Sequence, residues 1–224
     1  MIGIVTGLRS EAGCIPPAAD RRIVPTGGDP ERARHAALAL IEQGARGLLS
    51  FGLAGGLGPE ARPGDLLLPE AVVLPGGGCI DSDPRWRAAV EAKLLGSGPA
   101  VHRGLVAGSD RLLASAEDKR RLHEATGAIA ADMESHAIAE AARQAGLTFI
   151  VIRAVADPAG RTLPDAAGRA LSPVGGVRPL AVARSLLDRP DDLPALLALW
   201  RQSARAHATL RRVALLAGSA LDLG

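Results

Sequence analysis

The sequence predicts a single α/β domain, in which a mixed or parallel sheet is flanked by helices on both faces. Strand and helix patterns alternate along most of the chain, which is typical of this class. Two strand segments are continuously apolar, as expected for strands that are covered on both sides. At 224 residues and 47% hydrophobic content, the chain is long enough for one substantial core and contains no obvious linker.

The individual elements follow from apolar runs and helical periodicity. Strands are predicted at 2–6, 46–51, 65–74, 101–107, 128–132 and 148–156, and helices at 30–43, 84–95, 115–124 and 133–145. Asp29 followed by Pro30 predicts the start of the first long helix, because Asp caps helices and Pro suits the first helical position. Gly27 and Gly28 precede this start, an arrangement that suits an anion.

Residues 189–224 are predicted to form a carboxy-terminal helical extension of the single domain 1–224. Apolar side chains share one helical face, and arginines flank or oppose it: Leu193, Leu196, Leu197, Trp200 and Ala204, with Arg201, Arg205, Arg211 and Arg212. Two interpretations stay open. The stripe packs against the sheet or a second subunit, or the helix lies on an anionic membrane.

Composition excludes several classes of function. A net charge of +2 gives no indication of a nucleic-acid partner. Cys14 and Cys79 do not form a disulfide framework, and the five histidines lack metal-ligand spacing, so neither a metal nor a cofactor is expected. Met1 leads directly into an apolar strand, and no apolar run reaches the roughly 18 residues of a spanning helix, so we expect a cytoplasmic protein, or one held peripherally at the inner membrane.

Two carboxylates are predicted at positions where α/β proteins bind their ligands. Glu134 opens a helix, and Asp157 ends the apolar strand 148–155, where α/β proteins place their chemistry. A glycine-rich turn at 52–58 follows the strand 47–51 and allows backbone to approach a ligand. The alternative interpretations are that Glu134 interacts with the helix dipole and that Asp157 caps a strand end.

Four segments together resemble the nucleoside phosphorylase/nucleosidase superfamily, which contains purine nucleoside phosphorylases and methylthioadenosine/S-adenosylhomocysteine nucleosidases. They are Ile2 to Val5 followed by Glu11, the turn at 52–58, Asp132 to Glu134, and Arg153 to Asp157. The resemblance runs from Met1 to about Asp188. Segments 50–57, 132–136 and 156–159 also resemble the hopanoid-associated phosphorylases, which act on adenosylhopane.

The resemblance implies roles for particular residues. Asp157 protonates or hydrogen-bonds N7 of adenine, Glu11 activates the attacking water, and Met133 and Glu134 bind the ribose. The base pocket comprises Leu112, Leu113 and Asp132. The nucleophile or a phosphate lies against Gly28, Gly52, Leu53, Ala54, Gly55 and Arg153. Ala156 departs from the serine usually found before the acid.

The predicted function is cleavage of the N-glycosidic bond of a 5′-substituted adenosine, with release of adenine. By resemblance, the glutamate at position 11 favours hydrolysis, whereas the narrower match favours phosphorolysis with inorganic phosphate as co-substrate. Adenosylhopane is the first candidate substrate. The alternatives are a methylthioadenosine/S-adenosylhomocysteine nucleosidase, a general purine nucleoside phosphorylase, and a non-catalytic nucleoside-binding module. Homo-oligomerisation is expected from the resemblance alone.

Overall fold

The computed structural model describes residues 1–96, 99, 101–164, 184 and 189–222. Within these residues, the strands are β1 (Ile2–Thr6), β2 (Arg21–Pro25), β3 (Gly47–Gly56), β4 (Leu66–Leu67), β5 (Ala71–Val73), β6 (Cys79–Asp81), β7 (Val101–His102), β8 (Leu105–Gly108), β9 (Ala130–Asp132) and β10 (Thr148–Asp157). The α-helices are α1 (Arg9–Ala12), α2 (Pro30–Glu42), α3 (Pro84–Leu94), α4 (Ala116–Thr126), α5 (Ser135–Gln144) and α6 (Leu193–Ala217). Short 3₁₀ turns cover Pro190–Asp192 and Gly218–Asp222.

Two long strands, β3 and β10, form the centre of one mixed sheet. They run parallel, with Thr148 opposite Gly47 and Val155 opposite Ala54. The first half of β3 also pairs with β1, whose other edge carries β2, whereas the end of β3 pairs antiparallel with β9. The main path of the sheet is β6-β5-β8-β9-β3-β10-β4-β7. The predicted fold class, a mixed sheet flanked by helices, is confirmed.

Successive residues of the central strands contribute to separate hydrophobic layers on the two faces of the sheet. Leu49, Ile150 and Ile152 belong to a cluster with α3 and α6, whereas Leu48 and Val151 belong to a cluster with α2 and α5. Both faces of these strands are therefore buried, which explains their continuous apolar sequence.

Helix α6 has two differently buried halves. Its second half enters the core through Ala206, Leu210, Val213, Ala214 and Ala217. Its first half leaves the predicted stripe largely open: Leu193 and Leu197 are each 47% exposed, and Trp200 is 70% exposed. The stripe therefore does not pack against the described sheet.

Several boundaries differ from the sequence-based prediction. The expected turn after Phe51 is wrong, since β3 continues to Gly56 through pairing with β10 and β9. The predicted strand 65–74 divides at Pro69, which has no N–H to donate, and the strand 101–107 divides before Leu105, where Gly104 has φ 116°. The sequence did not predict β2, β6 or α1.

None of the helices in the described residues is long and apolar enough to cross a membrane.

Candidate active site

A cavity of about 250 Å³ opens at the carboxyl ends of β1 and β10. Most of the predicted site residues line it: Glu11, Gly28, Leu53, Ala54, Gly55, Leu112, Leu113, Asp132, Met133, Glu134 and Asp157. Gly52 and Arg153 do not line it, and instead support residues that do. Helix α6 also contributes to the wall, through Leu199 and Ser203.

Glu11 is held by backbone donors from two different elements. Helix α1 brings its carboxylate below the cavity, where Oε2 accepts the N–H of Leu8 at 2.7 Å and Oε1 accepts the N–H of Leu53 at 2.9 Å. The side chain is almost completely buried. Burial raises the pKa of Glu11, while the nearby Arg153 and the two backbone N–H groups act in the opposite direction.

Two glycines leave the space that the carboxylates occupy. A Cβ added at Gly7 would lie 2.6 Å from Glu134 Oε1 and 3.4 Å from Glu11 Oε2. A Cβ at Gly52 would lie 2.7 Å from Glu11 Oε2 and would also overlap the Arg153 guanidinium. The carboxyl groups of Glu11 and Glu134 therefore converge over bare backbone at one end of the cavity.

Arg153 is fully buried and joins several of the predicted site residues. Its Nε lies 2.6 Å from Asp132 Oδ2, and its Nη2 lies 3.2 Å from Glu134 Oε2. Nη2 also donates to the hydroxyls of Ser50, at 2.7 Å, and Ser135, at 3.1 Å. The guanidinium is thus surrounded by protein acceptors.

The side chain of Asp132 accepts hydrogen bonds from backbone N–H groups at the start of helix α5. Its Oδ1 accepts the N–H groups of Glu134 at 3.1 Å and Ser135 at 2.8 Å, while its other oxygen binds Arg153 and the Ser135 hydroxyl. The carboxylate satisfies helix N–H groups that have no partner within the helix. This position also orients the backbone of Glu134.

One guanidinium faces three buried carboxyl groups here, those of Glu11, Asp132 and Glu134. Burial is the main cause that raises the pKa of Glu134 to about 8, and the neighbouring charges of Asp132 and Glu11 raise it further against the attraction of Arg153. Glu11 has two backbone donors that favour its ionised form, whereas Glu134 has only Arg153. The surroundings of Glu11 therefore favour a carboxylate more than those of Glu134 do.

Asp157 lines the same cavity from the end of β10. The register of β10 against β3 shifts between Val155 and Asp157, so Ala156 forms a bulge that redirects the next side chain. A Cβ added at Gly55 would lie 3.5 Å from Asp157 Oδ1. Burial raises the pKa of Asp157, and this effect is opposed by Lys119.

Lys119 is the functional candidate that sequence reasoning missed. Its ammonium forms an ion pair with Asp157 Oδ2 and also donates to the carbonyls of Pro158 and Arg161, both at 3.1 Å. The side chain is 1% exposed, although it lies within a charged run that reads as a solvated helix face. The available signal was compositional, because Lys93 and Lys119 are the only lysines among 26 cationic residues.

Two polar side chains at the start of helix α5, those of Ser135 and His136, lie outside the cavity lining. His136 is buried, with Nε2 3.1 Å from Asp110 Oδ1, and Ser135 is committed to the Asp132 and Arg153 network. The two side chains therefore do not form a nucleophile and base pair. Within the described part of the chain, no group of three or more His, Cys, Asp or Glu is placed to hold a metal ion.

Comparison with known families identifies the chain. The family described as the Phosphorylase superfamily matches residues 23–185. The chain belongs to this superfamily. Comparison with curated protein sequences gives no match.

The solved structures of three bacterial enzymes have a similar fold. The 5′-methylthioadenosine/S-adenosylhomocysteine nucleosidase of Helicobacter pylori is 16% identical, with a TM-score of 0.71 over 100% of this chain and 98% of that one. The futalosine hydrolase of the same organism is 16% identical, with a TM-score of 0.68 over 95% and 96% of the two chains. The S-adenosylhomocysteine nucleosidase of Streptococcus pyogenes is 18% identical, with a TM-score of 0.65 over 95% and 94%.

Proposed function

We propose that this superfamily member hydrolyses the N-glycosidic bond of a 5′-substituted adenosine and releases adenine. The observation that carries the proposal is one cavity lined by two buried carboxyl groups, those of Asp157 and Glu11, which lie against different glycines of β3, Gly55 and Gly52. Glycosidic cleavage needs an acid for the leaving group and a base for the attacking water, and the two groups require different protonation states. The two backbone N–H donors on Glu11 favour its carboxylate form, and Asp157 has no such backbone donors among the described residues.

The proposed roles follow from the surroundings of each group. Asp157, whose pKa is raised by burial, donates a proton to the departing purine. Glu11, held by two N–H donors, takes a proton from water as it attacks C1′. Glu134 and Met133 also line the cavity, and we assign them to the ribose hydroxyls and the face of the sugar, respectively.

The distribution of cations supports hydrolysis over phosphorolysis. Arg153, which was predicted to help hold phosphate, is already engaged by Asp132 and Glu134 and does not line the cavity. The cations among the lining residues are Lys119, paired with Asp157, and Arg111, whose guanidinium lies 3.5 Å from Asp118. Thus no uncommitted cation lies beside Glu11 in the described cavity wall. The solved relatives named as nucleosidases and as a hydrolase support the same assignment.

Phosphorolysis remains the second candidate because Gly28, at φ 74° before helix α2, lines the cavity close to Glu134 and offers backbone to an anion. Product analysis with and without inorganic phosphate separates the two reactions. Hydrolysis gives adenine and the free 5′-substituted ribose at a rate independent of phosphate. A strict phosphate requirement with a ribose 1-phosphate product would establish phosphorolysis, and binding without adenine release would leave a nucleoside-binding module.

For the 5′ substituent, we propose a bulky apolar group, with adenosylhopane as the first candidate. Leu199 and Ser203 of α6 line the cavity, and the exposed side chains of Leu197 and Trp200 belong to the same helix. Arg201 and Arg205, also exposed on α6, provide the charge that an anionic membrane attracts. A higher kcat/KM for adenosylhopane than for methylthioadenosine or S-adenosylhomocysteine would support this choice. The reverse order would identify a methylthioadenosine/S-adenosylhomocysteine nucleosidase.

A further inference from the structure

The side chain of Lys119 is buried, and a buried lysine destabilises the folded protein unless its amino group has polar partners. Its side chain is 1% exposed, and moving a cationic group out of water is unfavourable unless hydrogen-bond acceptors or an opposite charge replace the water. All three Nζ protons have an acceptor: Asp157 Oδ2, the carbonyl of Pro158 and the carbonyl of Arg161. The three donor positions of the Lys119 side chain are therefore all satisfied by protein oxygens.

The two oxygens of Asp157 face different surroundings. Oδ2 binds Lys119, whereas Oδ1 does not, and both oxygens lie within 4 Å of a Cβ built at Gly55, which lines the cavity. No described residue donates a hydrogen bond to Oδ1. This oxygen is consequently the one available to a ligand, while the other remains attached to the cation.

We propose that Lys119 is a positioning residue for leaving-group departure, which stabilises the carboxylate that forms on Asp157 when its proton passes to the purine. This inference rests on the proposed function. The C1′–N9 bond breaks and its electron pair moves into the base, the base takes the proton from Asp157, and the water attacking C1′ gives its proton to Glu11. The negative charge then on Asp157 is paired with the Lys119 ammonium, and exchange with solvent restores both starting protonation states.

The other charged groups near Asp157 form no described hydrogen bond or ion pair with its carboxyl group. Arg161, in the turn after β10, is the second cation that acts on Asp157. On helix α4, Arg120 pairs with Glu117 and Glu124, Arg121 pairs with Glu117, and Asp118 pairs with Arg111. His123 bonds the carbonyl of Ala128, and Asp132 at the end of β9 pairs with Arg153. Lys119 is thus the only cation in the described residues within hydrogen-bond distance of the Asp157 carboxyl.

The central experiment compares Lys119→Met with the parent on two substrates. One is an adenine nucleoside, whose leaving group needs a proton, and the other is p-nitrophenyl riboside, whose phenolate leaves without one. We expect Lys119→Met to slow adenine release on the order of 10²-fold, comparable to removing one group that stabilises developing charge. Its rate on p-nitrophenyl riboside should stay close to that of the parent.

A double-mutant cycle tests whether Lys119 acts through Asp157. In the Asp157→Asn background no carboxylate forms, so adding Lys119→Met should cause little further loss of kcat. The double variant also contains no unpaired buried charge, and its circular-dichroism melt shows whether the site still folds. Additive losses, or equal losses on both substrates, would reduce Lys119 to an anchor for the turn 158–161.

The pH profile supplies a readout that an anchor would not change. Lys119 lowers the pKa of Asp157 against the effect of burial, so its removal should move the high-pH limb of kcat on the adenine nucleoside to higher pH. An unmoved limb in a folded Lys119→Met variant would overturn the proposal. If the parent releases no adenine, the proposed function itself fails, and that result is distinct from all of these.

Discussion

The Oε1 atom of Glu11 accepts the backbone N–H of Leu53 at 2.9 Å, which ties the short helix α1 to the middle of the central strand β3. Leu53 follows Gly52, where the absence of a Cβ leaves room for the same carboxylate. The candidate base is therefore positioned by main chain and not by other side chains. The function of Glu11 should therefore depend on its negative charge and on the backbone conformation of β3 around Gly52.

Replacement of Glu11 by Gln is predicted to remove most of the hydrolytic activity. A neutral amide cannot take the proton from water, and loss of general base catalysis typically costs about 10²–10⁴-fold in rate. Steady-state release of adenine measures the effect, and a titration with adenine tests whether the base pocket remains intact. The partly exposed Glu140 on helix α5 provides a matched Glu→Gln control. A variant at position 11 with parental kcat would exclude Glu11 as the base.

Asp157→Asn is predicted to lower kcat by about 10²–10⁴-fold, because an amide has no acidic proton for the leaving purine. Substrate binding should persist, since Asn retains a carbonyl oxygen that can accept from Lys119. Single-turnover kinetics separate the chemical step from binding. Asp81→Asn, at an exposed position on β6, serves as the control. Retention of the parental rate would contradict the acid role.

Gly52→Ala is predicted to impair activity strongly, although the substitution adds only one methyl group. The new Cβ would lie 2.7 Å from Glu11 Oε2 and would meet the Arg153 guanidinium, both of which are buried. Either side chain must then leave its bonded position. Gly76→Ala is the matched control, because a Cβ there has no neighbouring atom within 4 Å. Comparison of kcat and thermal midpoints tests the prediction, which equal behaviour of the two variants would refute.

The pH dependence of stability provides a test of the buried charges around Arg153. Burial raises the pKa of Glu134 from 4.5 to about 8, so between these values the folded state binds more protons than the unfolded state. Glu134 therefore contributes most to stability below its ordinary pKa, and this contribution is lost as the pH rises through about 8. Glu134→Gln, which cannot ionise, should show a smaller fall in thermal midpoint over this range. An unchanged fall would show that Glu134 is already ionised in the folded protein.

The open stripe on α6 gives a prediction about the 5′ substituent. If the first half of α6 contacts a lipid surface, Trp200→Ser should weaken co-sedimentation with anionic vesicles and slow cleavage of vesicle-borne adenosylhopane. Cleavage of methylthioadenosine should remain unchanged. Leu215→Ser removes an equally exposed apolar residue, 64% exposed, from the other half of the helix and serves as the control. A change from oligomer to monomer in Trp200→Ser, without a vesicle effect, would assign the stripe to a subunit interface.

The sequence by itself determined those features that depend on neighbouring residues along the chain. Continuous apolar runs such as 148–155 report burial on both faces of a strand, and the cap at Asp29 reports a helix start, because each signal is local. The placement of Asp157 at the carboxyl end of its strand follows from the same pattern. These signals were sufficient for the fold class, whereas most residues that line the cavity were predicted from the resemblance of four short segments to the superfamily.

Tertiary structure alone decided which distant groups meet. The ion pair between Lys119 and Asp157, the enclosure of Arg153 by Asp132 and Glu134, and the continuation of β3 beyond Phe51 all depend on contacts between separate elements. A charged run on a helix has the same sequence pattern whether its lysine faces water or a buried carboxylate. Periodicity reports which side of an element is buried, but the partner on that side is set by how the strands and helices pack.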